Sequence, residues 1–381
     1  MKKRIIPILL CMILAITAAG CGGAQGGGAG QSSSQSLKIA IMTSLSGVDD
    51  GSFHEDNYNG ILSFIKDHPD SSVTPVQEST GDTAACLKAV EDVVADYDVL
   101  VCDGFQFAGI SEIAEDNPDK KFILVDTSPT DAEGNEVEVE NIYAMTFKEQ
   151  EGGFLAGMAA ALSSTTKKVA VVNGIAYPSN VNYEYGFMSG VEYCNRHYDT
   201  NVEIAELPSY AGTDVTGANV GGNYAGSFGD PATGKVIGDA LIKEGCDVIF
   251  VAAGSSGNGV FTAAKESSEK VFVIGCDTDQ YNDGANGSEN IILTSALKIM
   301  GKNDKRVLES ILDGSFKGGN YLLGIDSDSV GYVSESGRCQ LSAETIEKID
   351  KAYQLIKEGK IEPAANFNGL TPDNFTGMDV E

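Results

Sequence analysis

Val248-Ile-Phe-Val-Ala252 is apolar at every position, Gly254-Ser-Ser-Gly-Asn-Gly259 follows after one alanine, and beyond a helical stretch a second apolar run closes at Val271-Phe-Val-Ile-Gly275. Successive side chains of a strand point to opposite faces, so a strand apolar throughout needs cover on both, as the inner strands of parallel sheets have. The Gly-rich piece then reads as a strand-to-helix turn, and strand, turn, helix and strand form a βαβ unit. The pattern repeats in both directions. Residues 37–42, 99–102, 122–125, 142–147, 169–173 and 291–297 are further apolar runs of strand length. Helical stripes lie between and after them: Tyr58, Ile61, Leu62 and Ile65; Leu87, Val90, Val94 and Tyr97; Val307, Leu308, Ile311 and Leu312 before Gly314; Ile346, Ile349, Tyr353 and Ile356 before Gly359. This alternation predicts an α/β protein of doubly wound parallel sheets. Eight strand candidates suit two lobes better than one. No Pro/Gly-rich linker divides them, so the expected connections are short crossovers near Phe147, Leu297 and Tyr321. One lobe would take residues 37–147 with about 298–320, and the other 148–297 with about 321–381. Ligands of such sheets sit beyond the carboxyl ends of the strands, which here means between the lobes.

Composition narrows the function. The chain has 381 residues, 55 acidic against 26 basic, for a formal charge of −29. Nucleic acids and anionic membrane surfaces need clustered Lys and Arg, so neither is an expected partner. Three histidines, His54, His68 and His197, leave little for a multi-histidine metal centre. GxSxG, GxxxxGK[ST], HExxH and a strand-linked GxGxxG are all missing, and no cofactor is expected. The Gly254–Gly259 turn has backbone N–H groups that suit a small polar ligand, or it is simply a turn. Asp277-Thr-Asp279 and Asp326-Ser-Asp328 lack the glycine and glutamate of a calcium loop. Cys86, Cys102, Cys194, Cys246, Cys276 and Cys339 form no CxxC pair, and most sit in apolar runs, as small buried hydrophobes do; a disulfide stays open.

The amino-terminal segment sets the compartment. Lys2, Lys3 and Arg4 precede an apolar run over residues 5–16, and Ala18-Ala19-Gly20 stands before Cys21. That is a signal peptide by build, and its apolar run is shorter than the about 20 residues a spanning helix needs. The ending resembles a bacterial lipobox, which implies removal of residues 1–20 and acylation of Cys21. Residues 21–36, mostly Gly, Ser, Ala and Gln, read as a flexible tether. Loss of three positive charges with the signal takes the formal charge from −29 to −32. The expected location is the outer face of the cell membrane, held by lipid.

Several blocks occur in an order that resembles the basic membrane protein family, the purine nucleoside receptor type of ABC-transporter substrate-binding lipoprotein. They are Asp50-Gly-Ser-Phe53, Phe147-Lys-Glu-Gln-Glu-Gly-Gly-Phe-Leu-Ala-Gly157, Tyr183-Glu-Tyr-Gly-Phe187, Ser227-Phe-Gly-Asp-Pro-Ala-Thr-Gly-Lys235, Val273-Ile-Gly-Cys-Asp277-Thr-Asp-Gln280 and Thr294-Ser-Ala-Leu-Lys298. The resemblance implies a type I periplasmic-binding-protein fold whose two lobes close about a hinge. It places Phe53 and Phe228 on the faces of a base, Asp277 on ribose hydroxyls, Lys298 near the sugar and the Gly254 backbone against the ligand. Flat bases stack well on aromatic rings, and a carboxylate accepts from vicinal hydroxyls. Three positions depart from the family: His54 stands where Asn is common, Thr43-Ser44-Leu45-Ser46 lacks an acid, and Gly109 replaces a base-reading Asp. The sugar side of the pattern is therefore better kept than the base side. The implied function is non-enzymatic capture of a small, nucleoside-like ligand for an ABC permease. A lipid-anchored hydrolase acting on nucleosides, or a surface sensor or adhesin without transport, are the alternatives.

Overall fold

The computed structural model describes residues 36–366 and 368–380; the signal, Cys21 and all but the last residue of the tether lie outside them. The first lobe begins with β1 (Lys38–Thr43), α1 (Phe53–Asp67), β2 (Ser72–Gln77), α2 (Thr83–Val93), β3 (Val99–Asp103), α3 (Ser111–Asp116), β4 (Lys121–Val125) and β5 (Ile142–Phe147). The chain then crosses to α4 (Glu149–Ser163), β6 (Lys168–Asn173), α5 (Pro178–Tyr198) and β7 (Glu203–Ile204). A small antiparallel ladder of β8 (Gly212–Thr213) and β9 (Asn219–Gly221) precedes α6 (Pro231–Lys243), β10 (Val248–Ala252), α7 (Gly257–Glu266) and β11 (Phe272–Asp277). A second ladder, β12 (Ala285–Asn286) with β13 (Glu289–Asn290), leads into β14 (Ile292–Lys298). The chain returns through α8 (Met300–Asp313) and β15 (Gly319–Leu323), and ends with β16 (Val330–Tyr332) and α9 (Ala343–Lys357).

Two six-stranded sheets result, in the orders β15-β5-β4-β3-β1-β2 and β16-β14-β11-β10-β6-β7. All pairings within them are parallel except β14 with β16. Alternate residues of each inner strand feed separate cores. In the first sheet Ile39, Ile41, Val99 and Val101 join the core that contains Ile61 of α1 and Leu308 of α8, whereas Ala40, Met42, Leu100 and Cys102 face Cys86, Val90 and Ala114 of α2 and α3. In the second, Val169, Val171, Val248 and Phe250 pack with α4 and α5, and Ala170, Val172, Ile249 and Val251 with α6 and α7. Both sheets are thus doubly wound, which explains the continuously apolar strands.

The chain passes between the sheets after Phe147, after Lys298 and after Leu323. The third passage falls past Tyr321, because Tyr321 and Leu323 still pair with Met145 and Phe147 of β5. Residues 321–323 therefore belong with the first sheet, a correction to the boundary expected from the sequence. The six cysteines among the described residues are free, and all but the half-buried Cys339 are buried. Asp279 pairs with Arg338, Asp326 with Lys148 and Asp328 with Lys357, so these acids serve ion pairs.

Candidate functional site

The carboxyl ends of both sheets point into one cleft of about 680 Å³, counted out to its open mouth. Phe53, Phe228, Gly254, Asp277 and Lys298, five residues scattered over 245 positions of sequence, all line it. Phe53 opens α1, and the turn before it is fixed by Asp50, whose carboxylate accepts from the N–H groups of Ser52 (3.0 Å), His54 (3.2 Å) and Glu55 (3.1 Å). A carboxylate at a helix start satisfies donors that the helix cannot, and so holds Phe53 and His54 at the rim.

Phe228 lies across the cleft in the segment before α6. Its carbonyl accepts from the Ser255 hydroxyl (3.0 Å) and the Ser256 N–H (3.0 Å). The turn after β10 therefore spends a backbone donor on holding Phe228. Gly254 is left-handed, at φ 52°, and a Cβ there would come within 3.4 Å of the Phe228 backbone and Cβ. Phe228 continues an aromatic wall: its ring centroid is 6.0 Å from that of Tyr177, which lies 4.9 Å from Phe105 of the opposite lobe.

Lys298 is the charged centre. Its Nζ lies 2.5 Å from Asp126, 3.7 Å from Glu149 and 3.8 Å from Asp277, with the Phe53 ring centroid 5.0 Å away. Burial alone favours a neutral amine, but the carboxylates of Asp126, Asp277 and Glu149 outweigh it and keep the proton above the usual lysine value. Burial also raises the carboxyls: Asp126 upward against the pull of Lys298, and Glu149 to about 7. Asp277 accepts from Ser52 Oγ (2.8 Å) and from the Tyr183 hydroxyl (3.3 Å). Asp126 and Asp277 both have positive φ, 62° and 67°. Aspartate tolerates this better than most residues, yet it is a cost that marks the strand ends facing the cleft.

His54, only 8% exposed in its side chain, sets Nδ1 3.3 Å from Asp103 Oδ2 at the end of β3. Its ring meets that of Phe53 edge-on at 5.2 Å. Burial, the largest influence on the imidazole, disfavours its charge, but Asp103 with Asp50 and Asp277 raises it above the ordinary histidine value. Asp103 is itself raised by burial to about 6. Gly109 does not line the cleft; Gln106 of the same turn does, donating to Ser44 Oγ at 3.3 Å.

Sequence reading marked His54 only as a departure from the family and did not name Asp103, Asp126, Tyr177 and Tyr183, which also line the cleft. A usable signal existed for several. Asp103 and Asp126 are the first charged residues after unbroken apolar strands, the same position Asp277 and Lys298 occupy in the second sheet.

Two largely parallel sheets joined by three crossovers, with aromatic and charged residues gathered where their strands end, give the two-lobed fold of periplasmic solute-binding proteins. Solved structures of that class agree. An ABC transporter solute-binding protein from Aeropyrum pernix K1 superposes with a TM-score of 0.72 at 21% identity, over 87% of this chain and 94% of its own. Another from Conexibacter woesei gives 0.63 at 18% identity, over 86% and 99%. Within that class the chain belongs to the PnrA-like family of ABC transporter substrate-binding proteins, whose model matches residues 37–208 and 210–366. Among relatives, the ABC transporter nucleoside-binding protein BmpA of Lactococcus lactis is 28% identical over 95% of this chain and 99% of its own. Basic membrane protein A1 of Borrelia garinii is 27% identical over 87% and 88%. No helix among the described residues is long and apolar enough to cross a membrane.

Proposed function

We propose that this substrate-binding protein is a lipid-anchored, extracytoplasmic receptor that captures a purine ribonucleoside between its lobes and passes it to an ABC permease. The observation that carries the reading is that one cleft gathers aromatic rings and an ionic cluster, which meet where the Phe53 ring lies 5.0 Å from Lys298. Phe53 and Phe228, from opposite lobes, offer rings to a flat base, while Asp277 and Lys298 offer an acceptor and a donor to ribose hydroxyls. A free base or a free sugar would use only one part, so a nucleoside gains from both. The named relative that binds nucleosides supports the same ligand class. Closure follows from the same layout. A ligand held by one lobe gains contacts from the second only when the lobes meet, and that difference drives the population to the closed form. In this reading the ligand leaves unchanged.

Titration calorimetry with inosine, hypoxanthine and ribose tests the ligand class. Inosine should bind at least tenfold more tightly than either fragment; equal binding of a fragment, or none of inosine, rejects it. Cys21→Ala tests the anchor. The variant should move from the membrane to the soluble fraction, and a variant that stays membrane-bound would reject lipidation at that residue.

A further inference from the structure

Inside the cleft sits an ionisable pair that ribose binding does not use. His54 lies beside Phe53, in edge contact with the ring on which a base would stack. Its Nδ1 is committed to Asp103, so Nε2 is the ring atom left for a ligand. The tautomer matters. Where Asp103 is ionised it can only accept, so neutral imidazole donates Nδ1–H to it and presents a lone pair at Nε2; the charged form presents N–H there. One atom therefore changes from acceptor to donor with a single proton, at a place where an asparagine amide would offer both at once.

We propose that His54, tethered by Asp103, reads the six-position of a bound purine nucleoside through Nε2, and that its protonation switches the receptor between a carbonyl and an amine there. The inference rests on the nucleoside reading above and names the specificity-determining residue of that site. Charged His54 donates to the six-carbonyl of inosine or guanosine and opposes the six-amine of adenosine. Neutral His54 accepts from the amine and leaves the carbonyl facing a lone pair. The groups around the imidazole are acidic: Asp103 from the end of β3, Asp50 from the turn before α1 and Asp277 from the end of β11. Behind Asp103 lie Asp304 of α8 and Asp126. Lys298, the nearest cation on the ligand side, is neutralised by its own carboxylates. The acidic surroundings favour the charged form, so the switch falls above the ordinary histidine range and carbonyl-bearing purines are preferred below it.

The test is the ratio of inosine to adenosine affinity between about pH 5.5 and about pH 8, where neither ligand titrates but a histidine does. For the natural protein the ratio should fall about tenfold or more as pH rises, the size of one charge-assisted hydrogen bond gained or lost. His54→Asn should give a ratio independent of pH. Asp103→Asn, which keeps the imidazole but removes its anion, should move the fall to lower pH. Unfolding midpoints without ligand identify any variant that has lost its fold. A ratio constant or rising with pH in the natural protein, a His54→Asn variant that keeps the slope, or an Asp103→Asn variant whose fall stays in place overturns the proposal while leaving nucleoside capture intact. Failure of either nucleoside to bind at any pH would instead reject the function on which it rests.

Discussion

In the proposed reading Asp277 and Phe228, which both line the cleft, divide the recognition between them. Asp277 already accepts from Ser52 and Tyr183 and faces Lys298, so its carboxylate is held in one orientation before a ligand arrives. If it accepts from ribose hydroxyls, Asp277→Ala should weaken inosine by about 1.5–3 kcal/mol, the usual range for hydrogen bonds to charged groups, and leave 2′,3′-dideoxyinosine nearly unaffected. Equal losses for the two ligands in calorimetry would remove Asp277 from the sugar. Phe228 is half-buried, and its ring borders the cleft rather than filling either core. Phe228→Ala should cost about 1–3 kcal/mol of nucleoside binding, as loss of one base–aromatic stack does, with the ligand-free unfolding midpoint unchanged. A large fall in that midpoint would show the ring to be a packing residue. Motif order in the sequence picked out residues that the fold brings to one cleft, but not their partners. Lys298 and Asp126 are 172 positions apart, and only the superposition of two strand ends brings them together. For His54 the sequence marked the departure from the family but not its partner: a lone histidine two residues after a serine carries no sign of Asp103 beside it.

Every strand apolar at each position was legible, because burial on both faces leaves only one pattern. Beyond the two short ladders, the strands that escaped are the edges, β2 and β15 of the first sheet and β7 and β16 of the second. An edge needs cover on fewer sides, and β2 reads Ser-Val-Thr-Pro-Val-Gln, with exposed polar residues and a proline that an inner strand would not accept. α4 escaped for the opposite reason. It is buried on nearly all sides and shows no stripe, being built largely of Gly and Ala on either side of Phe154 and Leu155. Its small residues set how close α5 comes. A Cβ at Gly157 would run into the Phe187 carbonyl oxygen, and one at Gly190 into that of Phe154. Contact at backbone distance places Tyr183 of α5 beside Asp277. On an exposed helix face Gly→Ala stabilises by about 1 kcal/mol. At Gly157 the sign should reverse: Gly157→Ala should destabilise by about 1–3 kcal/mol, the cost of overpacking, read as a lower urea midpoint. A midpoint equal to or above that of the natural protein would mean the two helices can separate freely, and the close approach would not be what positions Tyr183.

At the scale of the whole molecule the lobes touch as well as face each other. Gln280 donates to the Gly51 carbonyl at 2.9 Å, Ser52 to Asp277, and Lys298 to Asp126, so three bonds span the two sheets on the floor and flank of the cleft. Burying so many acids in a chain of charge −29 has a consequence for stability. Burial raises Asp56 to about 6, Asp103 to about 6, Glu149 to about 7, Glu151 to about 7 and Glu184 to about 8. An unfolded carboxyl titrates near 4, so between that value and each raised one the folded protein holds a proton that the unfolded chain does not. Stability must then rise as pH falls through the window from about 8 to about 6. His54 has the same sign, since a raised imidazole contributes stability that is lost as pH climbs through its folded value. Buried Asp247 works the other way: burial would raise it, but hydrogen bonds from Ser164, Thr165 and Thr166 outweigh that and lower it, so its window lies below pH 4 and does not overlap. Exposed pairs such as Lys348 with Glu344 contribute little in either direction. Urea unfolding should therefore give a higher midpoint at pH 6 than at pH 8, with the slope unchanged, corresponding to on the order of a few kcal/mol of added stability. Glu184→Gln, which keeps the carbonyl acceptor but removes the titrating group beside Tyr224, should flatten part of that dependence, chiefly its upper end. A midpoint that falls from pH 8 to pH 6 would mean the buried carboxyls are ionised and paired throughout, and that the cleft is held by charge rather than by shared protons.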